Sequence, residues 1–123
     1  MGGDMTSFVF LSLLLAGKNA ATAVGGIIVL AKVWEKIRPV IIAHSEEGKD
    51  FHFGVSHSTK RKNMMPLTQD GIEGLEVEDD TCYGLCNKPT DIKAEIGTIT
   101  PEKAKELIES LPPKKRVKIE RRR

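Results

Sequence analysis

The longest apolar stretch lies at the start of the chain. Residues 8–31 carry one charge, Lys18. As a helix rising about 1.5 Å per residue they would reach roughly 36 Å, enough to cross a hydrocarbon core of about 30 Å. The stretch holds 12 Leu, Ile, Val and Phe residues. On the insertion scale these contribute roughly −4 to −7 kcal/mol, against about 2.5–3.5 kcal/mol for the central lysine. Lys32, Trp34, Lys36 and Arg38 follow as a basic-aromatic collar of the kind found at membrane surfaces. The pattern predicts a transmembrane helix. A shallow hairpin turning at Gly17, Lys18 and Asn19 and a soluble core helix stay open. So does a secretory signal cleaved after Ala21, Thr22 and Ala23. In the spanning case, Gly17, Ala21 and Gly25 recur every four residues and form a small-residue ridge for helix packing.

Further along the chain the periodicity changes. The helix is expected to stop before Pro39. Val40, Ile41 and Ile42 form a short β-prone run, and Phe51, His52 and Phe53 alternate toward a strand ending at Gly54. Residues 69–80 are acidic and sparsely apolar, with Gly71 and Gly74 as breakers, which predicts a solvated linker. Near the end, Ala104, Leu107, Ile108 and Leu111 fall on one helical stripe. Thr100 is placed to cap that helix, with Pro101 at its first position and Glu102 in its first turn. A helix this short needs a surface to dock on.

These elements give a mostly α, membrane-associated fold class: one N-terminal transmembrane helix, a short amphipathic C-terminal helix, and largely irregular or disordered chain between. The expected organisation is an anchor over 1–38, a basic juxtamembrane segment over 39–62, an acidic linker with a cysteine pair over 63–99, and a helix with basic tail over 100–123.

Charge sharpens this picture. The net charge of +2 hides zones of 0, +3, −6 and +5 over residues 1–31, 32–62, 63–99 and 100–123. The candidate anion-binding residues are Lys60, Arg61 and Lys62 in a polar loop, and Lys114, Lys115, Arg116, Lys118, Arg121, Arg122 and Arg123 in the tail. Clustered bases bind phosphate by counterion release, whether on nucleic acid or on acidic lipid. Gly2, with Thr6 behind it, fits the pattern for N-terminal acylation and is a candidate lipidation site.

The remaining chemistry is thin. Cys82 and Cys86 are one residue wider than a C-x-x-C pair, so free thiols, a local disulfide and half a metal site all stay open. His44, His52 and His57 are irregularly spaced. No nucleophile–base pattern stands in a recognisable frame. The expectation is therefore no enzyme, no cofactor and no metal site.

The layout of residues 8–38 and 114–123 resembles the N-terminal part of the auxiliary replicase proteins of carmovirus-like plus-strand RNA plant viruses. The resemblance is one of architecture, without a motif aligned residue by residue, and those proteins are longer than this chain. It implies a membrane anchor for viral RNA replication and basic segments that bind RNA. The sequence thus suggests a membrane-anchored, non-enzymatic adaptor that presents its tail to RNA or anionic lipid. It would sit on an intracellular membrane, C-terminal part cytoplasmic, and homo-oligomerise through the anchor helix. The competing expectation is a single-span accessory subunit of a membrane complex.

Overall fold

The computed structural model describes residues 25–57 and 63–111. They form a curled, seven-stranded antiparallel half-barrel with one helix, 49% strand and 11% helical. The strands are β1 (Gly26–Val33), β2 (Lys36–His44), β3 (Asp50–Ser56), β4 (Met65–Pro66), β5 (Ile72–Glu73), β6 (Cys82–Leu85) and β7 (Ile92–Ile99). Helix α1 (Pro101–Glu109) follows. The sheet order is β4-β6-β3-β2-β1-β7-β5.

The expected mostly α fold with a transmembrane helix is overturned. Residues 26–33, inside the apolar stretch read as a helix, are the central strand β1, bonded to β2 on one side and β7 on the other. Among the described residues no helix is long and apolar enough to cross a membrane. The physical reason is that β1 is covered on both faces. Ile28 belongs to the cluster under the helix, with Ile41, Phe53 and Leu107. Its neighbour Val29 belongs to a second cluster on the other face, with Ala31, Val33 and Val40. A strand buried on both faces reads as a continuous apolar run, which hydropathy cannot tell from a helix. Ile27, Ile28, Val29 and Val33 are β-branched, and such side chains favour the pleated sheet.

Gly25 is likewise not part of a helix ridge. Its N–H donates to Ile99 O at 2.8 Å and its carbonyl accepts from His44 N at 2.7 Å. Gly17 and Ala21, the rest of the proposed packing ridge, lie outside the described residues.

The basic-aromatic collar is a hairpin. Trp34 and Glu35 form the two-residue turn between β1 and β2, with φ of 53° and 69°. Positive φ at both positions is the geometry that matches strand twist, though Asn-Gly is the usual sequence for it. Pro39 does not end an element. It pairs with Leu30 on β1 and stands just past the β2–β3 ladder, which begins at Val40. There its missing N–H costs no sheet bond.

The expected acidic linker is ordered as well. Gln69 holds it: its Nε2 donates to Ile72 O and Leu75 O, and its Oε1 accepts from Val77 N. Residues 86–91 then carry the chain from β6 to β7 on the far side of the sheet. Cys86 packs on the second cluster along this crossing.

Helix α1 is present where the apolar stripe puts it. The Thr100 side chain accepts from Lys103 N at 3.1 Å. Ala104, Leu107, Ile108 and Leu111 are buried in the core. Lys103 is buried too, and its Nζ reaches Thr68 Oγ1 at 2.8 Å, Glu106 Oε2 at 3.2 Å and Asp70 Oδ1 at 3.4 Å. This ties the helix to the segment before β5.

Candidate nucleic-acid interface

Strand directions sort the connections to two ends of the sheet. β1 and β3 run the same way, since both are antiparallel to β2. β6 and β7 run against them. The Trp34 turn, the connection after Ser56, and the starts of β6 and β7 therefore share one end. The 45–49 turn, Gly25 and Thr100 share the other.

The roots of the two basic segments meet at the Trp34 end. The first segment leaves after His57 and returns at Asn63. His57 Nδ1 shares a 2.8 Å hydrogen bond with Thr81 Oγ1. Thr81 is buried and also accepts from Glu78 N at 2.9 Å, which fixes the point of departure. The second segment follows Leu111. Tyr83 on β6 lies between Val55 on β3 and Met65 on β4. Its hydroxyl donates to Ser110 Oγ at 2.9 Å, and Ser110 Oγ donates to Leu107 O at 2.6 Å. One tyrosine side chain thus joins the strands flanking the first segment to the helix end that precedes the second. Burial, with Glu106 adding, raises the Tyr83 phenol above its usual range against the opposing Ser110 bond, so it stays a donor. Lys60, Arg61, Lys62, Lys114, Lys115, Arg116, Lys118, Arg121, Arg122 and Arg123 themselves lie outside the described residues, as does Gly2.

Charge is divided as sharply as position. The described residues hold eight Lys and Arg against fifteen Asp and Glu, a net of −7. The rest of the chain holds eleven against two, +9, which restores the total of +2. The far end carries Glu46, Glu47 and Asp50, with Asp50 Oδ1 2.7 Å from His44 Nδ1. The Trp34 end is mixed: Lys32, Lys36, Arg38 and Lys93 stand against Glu35, Glu78, Asp79, Asp80 and Asp91.

Sequence reasoning took Trp34 and Arg38 as a membrane collar and missed what they build together. The Arg38 guanidinium carbon lies 5.3 Å from the Trp34 ring centroid. Its Nε donates to Val33 O at 2.9 Å and its Nη2 to Trp34 O at 3.4 Å. Only the pairing of an aromatic with a basic residue four positions on hinted at this.

The cysteines form no reactive pair. Both are free thiols. Cys86 is pushed up to about 12 by burial, opposed by a backbone hydrogen bond from Gly54. Among the described residues no cluster of His, Cys, Asp and Glu could hold a metal ion.

No family model, no curated protein and no solved structure matches this chain.

Proposed function

We propose that this chain is a single-stranded RNA-binding module that engages phosphates with its two basic segments at the Trp34 end of the half-barrel. One observation supports the reading above the others. The folded body is acidic, and the basic charge lies in segments whose roots meet around Tyr83. An acidic body repels a polyphosphate, so contact runs through the basic segments rooted at that end. The module acts by binding and not by catalysis. The resemblance to auxiliary replicases adds plus-strand RNA replication as a setting. Its anchor half overlaps β1 and β2, however, so the proposal rests on the charge layout.

The test is the affinity of the intact chain for a labelled single-stranded RNA over a range of salt. Each phosphate neutralised on a single strand contributes about −0.7 to the slope of log affinity on log salt. Four to seven engaged bases give a slope of roughly −3 to −5. Replacing Arg121, Arg122 and Arg123 by Ala flattens it by about 2 and weakens all sequences alike. A chain that fails to bind RNA near physiological salt overturns the proposal. So does one that binds anionic vesicles and leaves RNA free.

A further inference from the structure

Electrostatic capture by basic side chains explains affinity for phosphate but gives no contact to a nucleobase. We propose that Trp34 and Arg38 supply that contact, as a planar step on which one unpaired base of a bound RNA strand stacks. The inference rests on the RNA-binding reading and adds the residues that touch a base.

Four observations carry it. First, Trp34 and Glu35 are consecutive non-glycine residues at positive φ. This is the geometry of the two-residue turn, and it fixes the indole at the tip of the β1–β2 hairpin. Second, the indole lies in a trough left by two glycines on neighbouring strands. A Cβ on Gly54 would come 2.8 Å from the ring, and one on Gly84 would come 3.7 Å from it. Third, Arg38 lies over the ring, and its guanidinium is oriented by bonds to the Val33 and Trp34 carbonyls. Aromatic rings and arginine planes are the two surfaces on which proteins stack unpaired bases. Fourth, the step stands beside the point where the first basic segment rejoins the sheet. The Cβ position of Gly84 is 3.0 Å from Met64 Cγ, so the residue next to Asn63, where the first basic segment returns, meets the same glycine as the indole. Exposed Lys36 follows the turn on the same hairpin.

Other features of the molecule are accounted for by structure. The buried Lys103 has three oxygen partners. Cys86 is a packed thiol. The outer side of β7 is covered at its Ile99 end by β5.

Trp34 is the chain's only tryptophan, so its emission reports this step alone. The experiment titrates the intact protein with a single-stranded RNA, and separately with an abasic strand of equal length and charge. Anisotropy of the labelled strands gives binding while indole emission is followed. The expected result is that both strands bind and only the RNA quenches Trp34. Arg38→Lys keeps the charge and removes the plane. It should weaken RNA roughly fivefold or more at fixed salt, in the range of a lost stacking contact, with the salt slope unchanged. RNA that binds without quenching, or quenching equal to that of the abasic strand, overturns the stacking step and leaves the RNA reading standing. Failure of RNA to bind at all overturns both.

Discussion

Replacing Gly26 by alanine separates the strand from a helix by the sign of its effect. In a helix the change would stabilise by about 1 kcal/mol, because glycine is the poorer helix former. In the sheet the new Cβ would lie 2.1 Å from Ile42 O, 3.0 Å from Ile42 C and 3.1 Å from Ala43 Cα. An ordinary carbon–oxygen contact is about 3.3 Å, so β1 and β2 must part by more than about 1 Å at this point. The chain there is fixed on both sides: Gly26 pairs with Ala43 and Ile99, and the adjacent Gly25 is bonded to His44 and Ile99. Parting the strands costs overpacking strain of about 1–3 kcal/mol. It also loses one or two backbone hydrogen bonds at about 0.5–1.5 kcal/mol each. The expected loss is about 3 kcal/mol. For a folded body of this size that lowers Tm by roughly 12–24 °C. Gly48→Ala is the control, since Gly48 has a φ of 85° but nothing within 4 Å of its Cβ position. It should cost about 1–2 kcal/mol, from conformation alone. Thermal unfolding followed by circular dichroism measures both. A Tm for Gly26→Ala that is unchanged or raised would refute the central-strand placement of this residue.

The cysteines should differ in reactivity. Strand spacing puts Cys82 and Cys86 about 13 Å apart, beyond the reach of a disulfide. Iodoacetamide at pH 8 should modify Cys82 first and spare Cys86, whose thiol is pushed up to about 12; equal rates by mass spectrometry would contradict this. Lys103→Met should leave Tm unchanged or raised. It removes a buried ammonium whose acidic partners, Asp70 and Glu106, are exposed, so no buried charge is orphaned. The same substitution should reduce acid sensitivity below about pH 4. The Asp70 carboxyl is lowered first by the Thr68 hydroxyl and then by the Lys103 charge. A lowered carboxylate gives stability above its unfolded value that is lost as pH falls through the folded one. Unfolding midpoints at pH 3 and pH 7 check both statements, and a large fall in Tm at pH 7 would contradict the first.

Parts of the fold were legible where the pattern was local. Helix α1 carries its cap, its proline and its stripe within twelve residues, and the structure keeps all three. The runs around Ile41 and Phe53 point to β2 and β3 because β-branched and aromatic residues alternate or cluster there. β1 was misread because both its faces are buried, which erases the alternation that marks a strand. Residues 69–80 were misread because side chains supply the bonds that periodicity looks for. Gln69 serves three backbone groups. Gly71 and Gly74, at φ of 76° and 91°, are turn positions within an ordered segment. The candidate site was legible as charge and not as geometry. The bases are plain in the sequence, but the Tyr83–Ser110 bond that brings their roots together joins residues 27 apart.

The claim that RNA engages one end of the half-barrel is tested most directly by mapping amide chemical shifts during an RNA titration. The account predicts shifts at Val33, Trp34, Lys36, Arg38, His57, Tyr83 and Ser110, with Ser45, Glu47 and Lys49 at the opposite end unmoved. Shifts centred on Ser45, Glu47 and Lys49, or spread evenly over the sheet, would contradict it.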